Sequence, residues 1–182
     1  MAASLGSIVI LTGPPGAGKS TVAPMLADTS DVPSVHLHTD NFYTWIRKGY
    51  IPPHLPESHA QNQVVIGVIV EAAMGYARGG YDVYLDGIVG PWALEPFHAA
   101  RDRNGVDMRY IVLRPGEDIA LRRAKLRDTP GIKESGPIRN LWQAFADLGP
   151  LETHAIDTSG VDAQQTATAI AERLRAGDFR LC

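Results

Sequence analysis

The stretch that decides the fold is Gly13-Pro14-Pro15-Gly16-Ala17-Gly18-Lys19-Ser20-Thr21. It matches the pattern G-x-x-x-x-G-K-S/T at every position, and in that pattern a glycine-rich loop holds phosphate groups. The β-branched apolar run at residues 7–12 precedes it and predicts a strand, whereas the residues from Ser20 onward predict a helix. A strand, this loop and a helix in that order predict a nucleoside triphosphate site at the N-terminus of the helix.

Each residue type in this loop suits the binding of phosphate with a metal ion. Its three glycines allow backbone angles at which successive N–H groups converge on phosphate oxygens. Lys19 is expected to bridge the β and γ phosphates and Thr21 to contact the α phosphate, while Ser20 is the expected hydroxyl ligand of Mg²⁺. The whole of residues 13–21 is therefore predicted to bind the cofactors ATP and Mg²⁺, with Lys19 also taking part in catalysis.

Length and composition indicate one α/β domain spanning residues 1–182. The chain has 182 residues, of which 45% are hydrophobic, enough to fill one sizeable core. A net charge of -3 gives no general attraction to nucleic acid. The N-terminus lacks a signal-peptide pattern and no run approaches the roughly 20 apolar residues of a membrane span, so we expect a cytoplasmic monomer or homodimer without membrane or nucleic-acid partners. Cys182, the single cysteine, excludes an internal disulfide.

Strand and helix signals alternate along the chain, which predicts five parallel strands. The short apolar strand candidates are Ile8–Thr12, Ser34–His38, Val83–Asp86, Arg109–Leu113 and His154–Asp157. The helix candidates are Ser20–Ala27, Ser58–Ala77, Trp92–Ala99, Glu117–Arg127, Ile138–Asp147 and Ala163–Ala176. The segment Asp128–Pro137 is too polar and too rich in proline and glycine for the core, and is predicted to be a mobile lid loop.

Ligands of open parallel sheets bind beyond the carboxyl ends of the strands, so the residues that follow each strand are the candidate site. Asp40 follows the second strand and is predicted to be catalytic, accepting the proton of an acceptor hydroxyl or orienting it. A helix cap or a place near the metal are the alternatives for Asp40. Asn41 is a weaker candidate.

The third strand ends in Asp86-Gly87. A carboxylate at this place is predicted to bind Mg²⁺ through water, so Asp86 joins Ser20 as a predicted metal residue. A contact with the acceptor and a simple structural turn are the alternatives. The loop that follows, residues 87–92, is flexible enough in sequence to line a pocket.

One basic cluster follows the fourth strand, on the predicted helix: Arg122, Arg123, Lys125 and Arg127. Arginines delivered by a closing lid stabilise the charge that develops on a transferred phosphoryl group. Arg123 and Arg127 are four residues apart and are predicted to lie on one helical face, so these two are the predicted catalytic arginines. The alternative is a solvated face paired with the acidic residues at the start of the helix.

The remaining candidates are less specific. Thr158 and Ser159 follow the fifth strand and either border the nucleotide base or cap the last helix. The acceptor pocket is predicted around Phe42, Tyr43, Trp45, Arg47, Lys48, Tyr50 and residues 51–54, a mixture of aromatic and cationic groups that suits a polar acceptor. Core packing is the alternative for its aromatic members. Five histidines show no metal-ligand spacing and are interpreted as structural or surface residues: His36, His38, His54, His59 and His98.

Four stretches together carry a family resemblance: GPPGAGKST, TDNFY, YLDG and LRRAKLRD. With them the chain resembles the P-loop kinases of small molecules, namely the gluconate and shikimate kinase group, the chloramphenicol phosphotransferases and the zeta-toxin kinases. The resemblance implies a three-layer P-loop NTPase fold of the nucleoside monophosphate kinase type, with strand order 2-3-1-4-5. It also implies that Asp40 activates or positions the acceptor. The chain has neither the Gly triplet of shikimate kinases nor the hydrophobic-Pro-Arg stretch of adenylate-kinase-like enzymes.

The function expected from these features is an enzyme, a P-loop kinase that moves the γ-phosphoryl group of ATP to a hydroxyl of a small polar molecule. One alternative is a nucleoside monophosphate kinase of the cytidylate or adenylate kinase type, which needs cations in the acceptor pocket. The other is a nucleotide-dependent switch that hydrolyses ATP slowly without a phosphorylated product.

Overall fold

Five parallel strands form a single sheet in the computed structural model, which describes residues 4–127 and 131–181. The strands are β1 (Ile8–Thr12), β2 (Ser34–His38), β3 (Asp82–Asp86), β4 (Met108–Leu113) and β5 (Ala155–Ile156). Their order is β2-β3-β1-β4-β5, which confirms the order that the family resemblance implies. The central strand β1 therefore carries the glycine-rich loop between the ends of β3 and β4.

Helices cover both faces of the sheet. They are α1 (Lys19–Asp28), α2 (Thr39–Thr44), α3 (His59–Arg78), α4 (Glu95–Asn104), α5 (Glu117–Leu126), α6 (Ser135–Ala144) and α7 (Ala163–Arg175). Short 3-10 helices lie at Pro56–Ser58, Pro91–Ala93 and Gly149–His154. None of the helices in the described ranges has the length and apolar character needed to span a lipid bilayer.

The hydrophobic core consists of two clusters, one on each face of the sheet, and β1 contributes to both. Successive side chains of a strand point to opposite faces of its sheet. Ile8 and Ile10 pack into a cluster with α3 and α4, whereas Val9 and Leu11 pack into a second cluster with α1 and α7. All five residues of β1 are buried, as expected for the centre of a parallel sheet with helices on both faces. The loop that follows β1 is thus anchored to a fully buried central strand.

Helix ends account for several differences from the sequence-based boundaries. Helix α4 was expected from Trp92 but begins at Glu95, after the 3-10 helix, and continues to Asn104. Pro96 suits the first turn of a helix, and Gly105 ends α4 in a left-handed conformation with φ of 68°. Helix α6 spans Ser135–Ala144, so it begins and ends three residues before the predicted range. A 3-10 helix occupies most of the region before β5, which shortens that strand to two residues.

The predicted lid loop at 128–137 is only partly described. Residues 128–130 lie outside the described residues, residues 131–134 are not helical, and residues 135–137 form the start of α6. Helix α5 ends at Leu126, and the backbone of Arg127 is extended with φ of -67° and ψ of 140°. The expectation that Arg123 and Arg127 share one helical face is therefore wrong, because the chain leaves the helix between them.

Candidate active site

The glycine-rich loop is held in place by close backbone approaches that only glycine allows. Gly13 has φ of 138°, and a Cβ there would lie 2.0 Å from the carbonyl oxygen of Leu113 at the end of β4. Gly16 has φ of 80°, and a Cβ there would lie 2.1 Å from the carbonyl oxygen of Ala120 in α5. The loop thus packs tightly against two other elements, which support its shape.

The backbone N–H groups of this loop are available to a ligand. The first N–H groups of any α-helix have no partner within the helix, and Gly18 caps α1 without a side-chain hydrogen bond. The amides of Gly16, Gly18, Lys19 and Ser20 have no acceptor among residues 4–127 and 131–181. With the helix dipole behind them, these amides form an anion-binding site.

Lys19 is buried beneath the loop. Its Nζ donates hydrogen bonds to the carbonyl oxygens of Gly13 at 2.9 Å and Pro14 at 3.0 Å. Burial lowers the pKa of Lys19 to about 8 because it disfavours the charged ammonium. The carboxylates of Asp86 and Asp40 oppose this shift.

Both predicted carboxylates thus lie within electrostatic reach of the Lys19 ammonium. Asp40 is in the first turn of α2, and its side chain is 70% exposed. The N-cap of α2 is His38, and α2 has no side-chain capping bond, so the alternative of a capping role for Asp40 is wrong. The six residues of α2 were not predicted as a helix. They turn the chain directly after β2 and point Asp40 away from the core while half-burying Tyr43.

Asp86 is completely buried and is held by two histidines. His36 donates from Nε2 to Asp86 Oδ1 at 3.1 Å, and His38 donates from Nδ1 to the same oxygen at 2.7 Å. Burial by itself raises the pKa of Asp86, but the hydrogen bonds of His36, His38 and Ser20 outweigh it and hold that pKa well below its usual range. The hydrogen bond to Asp86 in turn raises the pKa of His38. Sequence reasoning assigned both histidines no role in the site.

The second oxygen of Asp86, Oδ2, lacks the hydrogen bonds that Oδ1 accepts. Oδ2 is buried and has no hydrogen-bond partner of good geometry among the described residues, although the Ser20 side chain is close enough to lower the Asp86 pKa. Buried polar atoms without a partner are rare in folded proteins and call for an explanation. A hydroxyl and a free carboxylate oxygen beside a phosphate-binding loop are the donor set that suits Mg²⁺, which prefers oxygen ligands and keeps several waters. Ser20 and Asp86 therefore fit the cation that the family resemblance implies.

The loop after β3 is hydrogen-bonded to two strands of the sheet. The N–H of Val89 donates to Thr12 Oγ1 at 2.9 Å, and the carbonyl oxygen of Val89 accepts from the buried Tyr110 hydroxyl at 2.8 Å. Both polar groups of the Val89 backbone are thus held by strands of the sheet. The sequence predicted that this loop lines a pocket. Its backbone is held at Val89 by hydrogen bonds to side chains of β1 and β4.

Gly87 in this loop packs closely against Thr39, the residue before Asp40. A Cβ at position 87 would lie 1.8 Å from Thr39 Oγ1 and 2.7 Å from Thr39 Cβ, and Thr39 is the buried neighbour of Asp40. Because Thr39 Cβ itself is too close, a new rotamer cannot relieve the clash. We expect Gly87→Ala to lower the free energy of unfolding by about 1–3 kcal/mol, the usual cost of overpacking, in a denaturant titration.

Gly67 in α3 provides the matched control. A Cβ there would meet nothing within 4 Å, so Gly67→Ala is expected to be neutral or to stabilise the chain by up to about 1 kcal/mol. Equal stability of Gly87→Ala and the native chain would contradict the close approach of Thr39 and Gly87.

The two predicted arginines lie in different surroundings. Burial is the main cause that lowers the pKa of Lys19, and the charge of Arg127 adds a smaller effect. The hydrogen bonds of Ser159 are the main cause that lowers the pKa of Asp157 after β5, and the charge of Arg123 adds a smaller effect. Arg127 Nε is buried without a hydrogen-bond partner among the described residues, and Nη2 donates to the Ile132 carbonyl oxygen at 3.4 Å. The charge of Arg127 thus acts on the phosphate-binding loop, and that of Arg123 on the loop after β5.

That loop contacts the glycine-rich loop directly. Thr158 Oγ1 donates to the carbonyl oxygen of Ala17 at 3.2 Å, and Ser159 Oγ accepts from the N–H of Gly116 at 2.8 Å. Helix α7 is capped by Asp162, whose side chain forms a capping box with Gln165. The alternative that Thr158 or Ser159 caps this helix is therefore wrong. A contact with the nucleotide base stays a prediction.

The predicted acceptor residues divide into an apolar and a charged part. A cavity of about 500 Å³ lies between α2 and α3 and is almost entirely apolar, being lined by Phe42, Trp45, Ile46, Ala60, Gln61, Val64, Val65 and Val68. Its one polar side chain, Gln61, is used to bind both the N–H and the carbonyl oxygen of Ile51. Arg47 and Lys48 are exposed and have no hydrogen bond or ion pair within the described ranges.

Tyr43 lies within electrostatic reach of the Asp40 carboxylate. Burial raises the pKa of Tyr43 to about 12, and the charge of Asp40 and the nearby Tyr50 add to the effect. Both tyrosines that sequence analysis assigned to the acceptor pocket are thus within electrostatic reach of one another.

Comparisons with known proteins agree with this architecture. The profile of a family described as an AAA domain matches residues 8–148. No curated protein matches the sequence of the chain. Among solved structures, the tunicamycin resistance protein of Deinococcus radiodurans is 19% identical, with a TM-score of 0.69 and coverage of 93% of this chain and 95% of that one.

Two kinases are similar in fold to the same degree. The Mycobacterium tuberculosis APS kinase in complex with AMPPNP and APS is 17% identical, with a TM-score of 0.70 and coverage of 94% of this chain and 98% of that one. The Acinetobacter baumannii shikimate kinase in complex with shikimate is 19% identical, with a TM-score of 0.67 and 96% of each chain covered. The fold that the sequence resemblance implied is thereby confirmed.

Proposed function

Because the chain belongs to the AAA domain family and has the fold of P-loop kinases, we propose that it is an ATP- and Mg²⁺-dependent phosphotransferase acting on a hydroxyl of a small polar molecule. One observation carries the proposal: amides at the N-terminus of α1 and in the glycine-rich loop have no acceptor among the described residues, and Asp86, Asp40 and Arg127 all act on the charge of Lys19 in that loop. A row of unpaired N–H groups beside a lysine suits an anion, which a triphosphate supplies. A cytoplasmic location and a monomeric or homodimeric state stay predictions.

The residues divide the work of an in-line transfer. The loop amides and Lys19 bind the β and γ phosphates, and Ser20 and Asp86 would hold Mg²⁺, which neutralises charge on the phosphate oxygens. The acceptor oxygen forms a bond to the γ phosphorus while the bond from that phosphorus to the ADP oxygen breaks. Asp40 orients the acceptor hydroxyl and takes up its proton.

Arg127 is proposed to stabilise charge on the transferred group. Its charge acts on Lys19, and its buried Nε has no hydrogen-bond partner among the described residues, so an anionic ligand would offset the repulsion between the two cations and supply an acceptor. Arg123 is proposed to act from the side of the Asp157 loop, where it contacts phosphate only if the basic segment moves toward the nucleotide.

Replacing Arg127 with alanine is expected to lower the transfer rate by about 100-fold or more, as the loss of one positioned charge donor does in other phosphoryl-transfer sites. Arg122→Ala is the matched control, because Arg122 lies on the same basic segment but is exposed and its side chain forms no hydrogen bond or ion pair with the described residues. The rates are compared under saturating ATP. Equal loss in both variants would show a general effect of positive charge and not a role for Arg127.

A nucleoside monophosphate kinase is the second candidate, and the free cations Arg47 and Lys48 after α2 favour it because a phosphate-bearing acceptor needs such groups. The apolar lining of the cavity between α2 and α3 favours a less charged acceptor. A nucleotide-dependent switch remains the alternative from another class.

An acceptor screen tests the proposal. Purified protein is incubated with ATP, Mg²⁺ and panels of sugars, sugar acids, nucleosides, nucleoside monophosphates and aminocyclitol or phenicol antibiotics, and ADP release is followed. Mass spectrometry then checks for a product that has gained one phosphoryl group. A phosphorylated alcohol supports the proposal, and a nucleoside diphosphate supports the second candidate. ADP release with no phosphorylated product in any panel overturns the proposal in favour of the switch.

A further inference from the structure

Strand β2 carries two histidines on the face that meets Asp86. The register pairs His36 with Tyr84 and His38 with Asp86, and residues two apart in a strand share a face. The two imidazoles are the donors on Oδ1 described above, at 3.1 Å and 2.7 Å. An edge strand thus supplies two donors to a buried carboxylate of its neighbour.

The two oxygens of that carboxylate are consequently not equivalent. Oδ1 has its two lone-pair directions occupied by N–H donors, whereas Oδ2 is buried and has no partner of good geometry among the described residues. With Oδ1 held at two points, the carboxylate cannot rotate to exchange its oxygens without losing both hydrogen bonds. Oδ2 therefore keeps one direction, and the carboxylate that carries it lies within electrostatic reach of Ser20 and Lys19.

We propose that His36 and His38 are positioning residues that fix the Asp86 carboxylate with Oδ2 directed at the divalent cation of the bound nucleotide. The inference rests on the proposed function, because the cation arrives with ATP. Mg²⁺ demands near-ideal octahedral geometry, so a carboxylate held at one angle selects for it better than a freely rotating one. Hydrogen-bond partners outside the ligand shell commonly change metal affinity by about 10- to 100-fold.

His38 also couples the cation side to the acceptor side. Its Nε2 lies 3.8 Å from Asp40 Oδ2, while its Nδ1 binds Asp86. One ring thus stands between the proposed metal carboxylate and the proposed catalytic carboxylate. A displacement of His38 would therefore change its distances to both Asp86 and Asp40.

The different nitrogens that the two rings use allow a sharp test. The amide nitrogen of asparagine can replace a histidine Nδ1, and that of glutamine can replace Nε2, because the side-chain lengths match. The donor-preserving variant is therefore His36→Gln with His38→Asn, and the donor-free variant is His36→Leu with His38→Leu. A crossed variant, His36→Asn with His38→Gln, carries the same two amides at the wrong reach.

The readout is Mn²⁺ affinity, measured by electron paramagnetic resonance with saturating AMPPNP, together with the affinity for AMPPNP without metal. We expect the donor-free and crossed variants to bind Mn²⁺ about tenfold or more weakly, and the donor-preserving variant to stay within about threefold of the native chain. Metal-free AMPPNP affinity should be unchanged in all three. A purely structural role would instead lower both affinities together, and that result overturns the inference.

Further outcomes separate this inference from the proposed function. Asp86→Asn should weaken Mn²⁺ binding in the otherwise native chain, and if it does not, the metal role of Asp86 fails and the inference fails with it. If Asp86→Asn weakens binding but a folded crossed variant does not, only the inference is overturned. Should the donor-free chain not fold, the crossed and donor-preserving pair decides, since both keep a polar amide at each position.

Discussion

Asp40→Asn is expected to lower phosphoryl transfer to the acceptor by about 100- to 10,000-fold, the range that a positioned general base contributes. The substitution removes a charge and a proton acceptor but keeps nearly the same shape. Asp40 is 70% exposed and makes no capping bond in α2, so the fold does not depend on its carboxylate. In the proposed function ATP binds mainly through the loop amides and Lys19, and its dissociation constant should therefore change by less than about threefold.

Single-turnover experiments with the acceptor found by screening measure the transfer step, and calorimetry measures ATP binding. Asp31→Asn is a suitable control because it makes the same chemical change at an exposed position before β2. Transfer at the native rate by Asp40→Asn would remove Asp40 from its proposed role. A large loss of ATP affinity would instead assign Asp40 to nucleotide binding.

Local sequence patterns correctly predicted the strand and the glycine-rich loop, whose structure depends on neighbouring residues in the chain. The strand before Gly13 follows from a short apolar run, and the loop up to Thr21 follows from glycines at positions whose backbone shape other residues rarely adopt. The strand order did not follow from periodicity, because it depends on which distant strands pair. The family resemblance supplied it, and the structure confirms it.

The parts that sequence reasoning missed depend on contacts between distant residues. Helix α2 is too short for a periodic pattern, and it follows β2 without a turn signal. The contact of His38 with Asp86 joins residues 48 apart, and no local pattern reports it. Strand order combined with residue parity contained the signal, because β2 beside β3 places His38 level with Asp86. The helix that was predicted to reach Arg127 stops one residue short, which changes the surroundings of that arginine.

Lys19→Met is expected to lower transfer by about 100- to 1,000-fold, because it removes the charge nearest to the developing γ-phosphoryl charge. It should also lower ATP affinity at pH 7 by about 10- to 100-fold, the effect of losing a charge-assisted hydrogen bond.

The native chain should also take up a proton when it binds ATP at high pH, which the variant cannot do. Burial lowers the pKa of Lys19 to about 8 in the free protein, whereas bound phosphates favour the ammonium and raise that pKa again.

The sign of the resulting pH dependence follows from proton linkage. Well below pH 8 Lys19 is protonated in the free and the bound protein, so ATP affinity does not depend on its titration there. Above pH 8 the free protein loses this proton and binding must take it up, so affinity should fall by up to about tenfold per pH unit. Calorimetry at pH 9 in buffers of different protonation enthalpy should show uptake of most of one proton, since the phosphates of ATP are fully ionised there. Lys19→Met should show none, and an equal lack of uptake in the native chain would contradict a buried Lys19 that contacts phosphate.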